Sequence, residues 1–276
     1  MMPAQVRPVL KWAGGKSRSL PHISAALPAS INRYYEPFVG GAAVFFSLST
    51  QQRFKRAVLS DQNPALIDVY RAVKHHVDDL IEALGRHRYD REEYYRVRAL
   101  DPSTMDLPER AARVIFLNKT GYNGLYRVNS RGQFNVPFGR HKAPTICDPT
   151  NLRAAQKALA KVRLNVGDFE ETCEDAQPGD AVYFDPPYDP LSKTASFTAY
   201  HKEEFGRSDH ERLARTFARL ARKGVAVVLS NSYTAFTKDL FSDWVTKKVS
   251  VSRPINSKAS ARGAVHELLV TTRERG

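Results

Sequence analysis

The sequence predicts an α/β protein, an open sheet interrupted by an inserted helical subdomain that ends in a hairpin. Three observations carry this. Short β-branched or aromatic runs alternate with helical stretches in the first quarter; the alternation resumes after residue 162; and between residues 77 and 146 the spacing turns helical, with arginine-rich faces.

In the first quarter, residues 33–36 and 56–60 read as strands, and AAVFFSLS (42–49) and PALIDVYRAVKH (64–75) as helices, a βαβα beginning. VDDLIEAL (77–84), REEYYRVRAL (91–100) and PERAARVIFLN (108–118) have helical spacing, and a stretch punctuated by Gly and Asn follows at about 121–140. Strands resume at 162–166, 181–184 and 225–231, with a long helix at about 208–223, another after the third of these strands, and strands at 245–251 and 265–272. At about 150 residues per domain, 276 residues make one to two domains. The expected division is a main domain of residues 1–63 and 147–276, with 64–146 as the insertion.

Composition narrows the class. Hydrophobic residues are 42% and charged residues 26%, an ordinary globular balance that excludes collagen-like and wholly disordered chains. The clearly apolar run at 225–229 falls far short of the roughly 20 residues a bilayer crossing needs, and the N-terminus lacks a secretory apolar region, so no membrane association and a cytoplasmic location are expected. Cys147 and Cys173 are too few and too far apart for a disulfide framework or a cysteine-rich zinc site, so no metal is expected. Forty-two Lys and Arg against 29 Asp and Glu give +13, which points to a polyanion. Nucleic acid leads a membrane surface; a generally basic enzyme is the bland alternative. No coiled coil demands a dimer, so a monomer is expected.

YYEPFVGG ends a strand at Glu36 just before a Gly-containing turn and a helix, a place where backbone can approach a ligand closely. Alone, such a pair is more often only a tight turn. Asp61 stands twenty positions after Gly41, at the end of the second strand, where a carboxylate accepts from ribose hydroxyls. The competing role for Asp61 is a helix N-cap before Asn63-Pro64. Upstream, KWAGGK (11–16) sets a flexible backbone between an aromatic face and two lysines.

The most specific element is DAVYFDPPY (180–188). An apolar strand delivers Asp185-Pro186-Pro187-Tyr188 to the sheet edge, and two prolines fix the backbone and remove two N–H donors. Carbonyls, a carboxylate and a ring then form an acceptor array suited to an exocyclic amine. Accepting the amine's hydrogens orients its delocalised lone pair, Asp185 stabilises the positive charge that develops on nitrogen, and Tyr188 stacks on the base.

In their order and spacing, KWAGGK (11–16), EPFVGG (36–41), DQNPALI (61–67), NKTGYNGLYRVNSRGQFNVPFGR (118–140) and DPPYDPLSKTASFTAYH (185–201) resemble the DNA adenine methyltransferases of the Dam type, over nearly the whole chain. The resemblance implies a Rossmann-like S-adenosylmethionine-dependent methyltransferase sheet with a helical target-recognition insertion. It implies S-adenosylmethionine contacted by Trp12, Lys16, Asp61 and Asp185, with Glu36, Phe38 and Gly40 at the first glycine loop and Asp168 and Phe169 near the donor's adenine ring. The implied reaction is direct methyl transfer to N6 of an adenine flipped out of double-stranded DNA. One departure stands out: the family's Phe-x-Gly-x-Gly is here Phe38-Val39-Gly40-Gly41-Ala42, so the path of that loop is open.

For DNA reading, Asn118, Lys119, Asn123, Arg127, Asn129 and Arg131 alternate with aromatic residues, and an Arg fork matches guanine O6 and N7. Contacts blind to sequence are the alternative. The resemblance assigns Asn123, Leu125 and Arg127 to a GATC site, with Arg127 on guanine and Pro137 near the thymine methyl; no role is attached to Tyr126. The competing functions are an amino-methyltransferase for cytosine N4, RNA or glutamine, a non-catalytic DNA-binding module, and a nicotinamide-dependent oxidoreductase. Asp185 in place of Asn and the helical insertion favour adenine in DNA.

Overall fold

The computed structural model describes residues 6–190, 205–251 and 265–272. Its strands are β1 (Ile31–Glu36), β2 (Phe54–Asp61), β3 (Val162–Val166), β4 (Ala181–Phe184), β5 (Ala226–Ser232), β6 (Val245–Val251) and β7 (Val265–Thr271). They form a seven-stranded sheet in the order β3-β2-β1-β4-β5-β7-β6. β1 runs parallel to β2 and β4, and β4 to β5, whereas β7 is antiparallel to both β5 and β6. This is the open Rossmann-like α/β sheet that the sequence predicts. Its strand order turns back at β1 and β4, and sheets of this kind bind ligands beyond the carboxyl ends of the strands at such a point.

The helices are α1 (Leu20–Ala26), α2 (Ala43–Thr50), α3 (Pro64–His75), α4 (Val77–Gly85), α5 (Arg91–Ala99), α6 (Leu107–Thr120), α7 (Pro149–Leu159), α8 (Phe169–Thr172), α9 (Arg207–Arg222) and α10 (Ala235–Leu240). The chain divides into two compact units, one of Met1–Gly15, Val39–Gln52 and Ser60–Val166, the other of Lys16–Phe38, Arg53–Leu59 and Gly167–Gly276. Residues 64–146 fall in the first.

In the first unit α3 packs on α6 and α7, and α4 on α6. The starts of α3, α6 and α7 have a local cause. Asn63 caps α3 by accepting from the Ala65 N–H ahead of a first-turn proline, and Asp106 and Asp148 cap α6 and α7 in the same way. Helices α5 and α6 share a small core with the chain that follows them, made of Tyr94, Val97, Phe116, Leu117, Phe134 and Val136.

In the second unit the period-2 alternation of strands separates two faces. Val182 and Phe184, Val227 and Leu229, and Leu268 and Val270 line one face and pack against Leu213, Phe217 and Leu220 of α9, which recur at i, i+4, i+7. The opposite face carries Tyr34 and Glu36 on β1, Tyr183 on β4, Ser230 on β5 and Glu267 on β7. An all-apolar face would serve stability alone; this polar one leads to the sheet edge.

Arg53, just before β2, anchors the end of α1. Its guanidinium donates to the carbonyls of Ser24, Leu27 and Pro28 and to the Ser24 hydroxyl, at 2.5–3.2 Å. The Ser24 and Leu27 carbonyls lie at the helix C-terminus, which leaves its last carbonyls without intrahelical donors, and the Pro28 carbonyl follows them. A lysine has neither the fork nor the number of donors. We expect Arg53→Lys to destabilise the fold by about 2–4 kcal/mol in urea unfolding monitored by circular dichroism.

Candidate active site

In the first unit, Trp12, Gly40 and Asp61 come together. The Gly40 N–H donates to Asp61 Oδ2 at 3.2 Å, and the Asn63 N–H to Oδ1 at 3.0 Å. Asp61 is therefore not the cap of α3, a role taken by Asn63, but a half-buried acceptor that ties the glycine turn to the end of β2. Burial pushes its carboxyl up, while the backbone donors of Asn63, Gly40 and Gln62 pull the other way. Gly40 has φ +45°, and a Cβ there would stand 2.9 Å from Trp12 Cδ1, so only glycine fits between the turn and the indole. The Tyr70 hydroxyl donates to the Gly40 carbonyl at 2.6 Å.

Two positions ahead, Ala42 has φ 56° and ψ 29°, left-handed geometry at the residue before α2. The path left open by the missing glycine is thus the one a glycine would take, with alanine bearing the strain. The Trp12 ring lies 5.4 Å from Tyr126. Nothing in the spacing of the sequence marked that contact, which ties the KWAGGK loop to the recognition segment.

In the second unit, Asp185 follows β4 directly and Lys16 pairs with it, Nζ to Oδ2 at 2.7 Å, with side-chain exposures of 5% for Lys16 and 18% for Asp185. The same ammonium lies 4.8 Å from the centre of the Tyr188 ring. Ser230 Oγ donates to Asp185 Oδ1 at 3.1 Å. Burial pushes the Asp185 carboxyl up, whereas Lys16 and Ser230 pull it back toward the ionised form. Pro186 is buried and Pro187 exposed. The chain beyond is fastened by β5 and the turn after it: the Asp189 N–H donates to Asn231 Oδ1 at 3.1 Å, Ser232 Oγ to the Asp189 carbonyl at 2.7 Å, and Thr234 Oγ1 to Asp189 Oδ2 at 2.8 Å. The sequence reading missed these, although a polar SNSYT directly after an apolar strand was there as a signal. Residues 191–201 of the DPPY block lie outside the described residues.

Glu36, at the end of β1, is buried and accepts from the Tyr34 hydroxyl at 2.8 Å. Phe38 stacks on Phe169 at 5.5 Å. Asp168 is gripped by Arg212 through two 2.9 Å bonds, and the guanidinium lies 4.4 Å from the centre of the Phe169 ring. Asp168 also caps α8, so its carboxylate is held in one pose.

The recognition segment, in the first unit, is hairpin-like, though its pairing is limited to isolated antiparallel bridges Gly121↔Phe138 and Val128↔Phe134. Asn123, Leu125, Arg127, Arg131 and Pro137 are exposed along it. Arg127 braces on Asn135, donating to Oδ1 at 2.7 Å and to the carbonyl at 3.2 Å. Asn129 is different. Its Oδ1 accepts the N–H groups of Arg131 and Gln133, both at 3.0 Å, so it shapes the turn. Asn118 is fully buried and clasps the Lys11 backbone on both sides at 2.9 and 2.8 Å.

Among the described residues no group of His, Cys, Asp and Glu is arranged to hold a metal ion, and no helix is long and apolar enough to cross a membrane. Gly40→Ala forces the Trp12 indole or the turn to move. We expect a loss of about 1–2 kcal/mol in denaturant unfolding and a shifted tryptophan emission in the folded protein.

Comparison with known proteins agrees with this chemistry. The D12 class N6 adenine-specific DNA methyltransferase family matches residues 12–255. The chain is 43% identical over 274 residues to the type II methyltransferase M1.LlaDCHI of Lactococcus lactis subsp. cremoris, covering 96% of this chain and 95% of that protein. It is 44% identical over 285 residues to the type II methyltransferase M.MjaIII of Methanocaldococcus jannaschii, covering 96% and 99%. It is 36% identical over 267 residues to the DNA adenine methylase of Escherichia coli K12, covering 95% and 94%. The chain belongs to the D12 class of N6 adenine-specific DNA methyltransferases, enzymes whose methyl donor is S-adenosylmethionine.

Proposed function

We propose that this enzyme methylates N6 of an adenine extruded from double-stranded DNA at GATC, acting as a cytoplasmic monomer. The observation that carries the reading is Asp185 at the end of β4, a carboxylate that burial pushes toward protonation and whose two oxygens Lys16 and Ser230 hold in opposition to that push. An ionised carboxylate is acceptor-only, so it takes a hydrogen from an amine and favours the positive charge that grows on nitrogen as the new N–C bond forms. The Pro186 carbonyl takes the second hydrogen, and Tyr188 supplies the stacking face. N6 is out of reach of such an array inside a duplex, so the base leaves the stack.

The residues fit the donor. Gly40 leaves a space beside Trp12 that any Cβ would fill, and Asp61, holding the turn, keeps lone pairs for ribose hydroxyls. S-adenosylmethionine supplies an electrophilic methyl carbon on a sulfonium. In the second unit Lys16 and Asp185 would contact the donor, Asp168 and Phe169 would lie near its adenine ring, and Glu36 and Phe38 would stand at the first glycine loop.

On the recognition segment, Arg127 is exposed and braced, a fork ready for guanine; Asn123, Leu125 and Pro137 present one amide and two apolar edges beside it, and Arg131 meets phosphate. The net charge of +13 steers the protein to a polyanion.

Incubation with S-adenosylmethionine and duplexes differing only at the site, followed by nucleoside mass spectrometry, should yield N6-methyladenine in GATC duplexes alone; N4-methylcytosine or equal labelling of every duplex would overturn the reading. Asp185→Ala should lose about 10²–10³ in turnover while duplex binding, followed by fluorescence anisotropy, persists. Arg127→Ala should cost about 1–3 kcal/mol and relax discrimination at one base pair, measured by competition between substituted sites.

A further inference from the structure

The polar face of the second unit holds a chain of hydroxyls that the proposed chemistry has not yet used. Phe184 on β4 stands in register with Leu229 on β5, so Asp185 and Ser230 follow side by side. Ser230 Oγ donates its only proton to Asp185 Oδ1 at 3.1 Å. The Tyr183 hydroxyl lies 2.6 Å from the same Oγ. With the serine proton already committed, the phenol is the donor in that contact, and the bonds run in one direction, from Tyr183 to Ser230 to Asp185. Tyr183 and Ser230 are 0% and 1% exposed. Burial and the nearby Asp185 charge push the phenol far up, so it remains a donor throughout the range in which the enzyme works.

Packing alone does not call for two hydroxyls at this depth, since buried polar groups are costly unless paired. Their effect falls on the carboxylate. Lys16 holds Oδ2 and Ser230 holds Oδ1, so the carboxyl plane cannot turn without breaking one of the two bonds. Its remaining lone pairs then point in fixed directions.

We propose that Ser230, backed by Tyr183, is a positioning residue that sets the Asp185 carboxylate in the plane from which it accepts the target amine. This rests on the reading of Asp185 as the amine acceptor. The titratable and charged groups that bear on the same carboxylate are Lys16, Tyr188, Tyr183, Tyr34 on β1 and Glu267 on β7, and Glu36 on β1 bears on Tyr34 and Tyr183. Glu267 and burial favour the protonated form; Lys16 and the Ser230 bond favour the ionised form. Removing the serine hydroxyl shifts that balance toward protonation.

The test compares Ser230→Ala, Ser230→Thr and Tyr183→Phe with the parent enzyme, following kcat, the KM for S-adenosylmethionine and for duplex, and kcat against pH. Ser230→Ala should lower kcat about tenfold or more with both KM values unchanged. The acid limb of kcat should move to higher pH, because the carboxylate that must be ionised has lost a donor. Ser230→Thr restores the hydroxyl and should restore kcat and the limb; Tyr183→Phe should shift both in the direction of Ser230→Ala, by less. If Ser230→Ala does not fold, Tyr183→Phe carries the measurement, since it removes one oxygen and keeps the ring. A parental kcat and acid limb in Ser230→Ala, or in Tyr183→Phe where that variant is the readout, would overturn the proposal, as would Ser230→Thr impaired as deeply as Ser230→Ala. If the parent enzyme forms no N6-methyladenine, the reading of Asp185 itself falls; if it does and Ser230→Ala matches it, only the positioning role falls.

Discussion

Taking a carboxylate out of water works against its charge, and the second unit is organised around opposing that tendency at Asp185. An unpaired buried ion costs several kcal/mol. A neutral carboxyl would present a donor where the amine needs an acceptor. Lys16, itself almost wholly buried, solves the problem for both partners, because each desolvated charge is compensated by the other. The hydrogen bonds behind the carboxylate and the fastening of Asp189 beyond it keep the pair from drifting apart. Even the two-sidedness of the sheet follows from this: α9 takes one face for packing and frees the other to carry polar side chains toward the edge.

The recognition segment rests on the opposite allocation. There the backbone is fixed by side chains that face inward, and the outward ones are left for a partner. Asn118 and Asn129 look like readers in the sequence; Asn118 is consumed by main-chain bonds, and the Oδ1 of Asn129 holds two N–H groups of its own turn. Asn123, Leu125, Arg127, Arg131 and Pro137 stand on the frame those two asparagines build.

Strand positions and the long helices were legible because hydrophobic period and turn residues agree in them; AVYF ahead of DPPY is too short and too apolar for anything but a central strand. Helix α7 was not read, although Asp148-Pro149 followed by an amphipathic LRAAQKAL carries both a cap and a period. Of the site, the residues with unusual local chemistry could be found: prolines after an acid, glycines after a strand. Ser230, Tyr183 and Arg212 could not. Each acts through a partner 44 to 47 positions away, and serine, tyrosine or arginine in a strand or helix has no local signature that separates a hydrogen-bond brace from an ordinary residue. Asp61 shows the limit from the other side, since two roles were chemically open and only the position of Asn63 decides between them.

Ala42 illustrates how a loop keeps its shape when its customary residue is absent. The left-handed bend is imposed from both sides, by the Ala42 N–H on the Val39 carbonyl at 2.7 Å and the Phe46 N–H on the Ala42 carbonyl at 3.0 Å. A methyl group in that conformation costs about 1–2 kcal/mol in the native state. It also narrows the denatured ensemble relative to glycine, which returns roughly 0.4–1 kcal/mol. The second effect recovers only part of the first, so alanine keeps the bend at a net cost and gives up conformational latitude there.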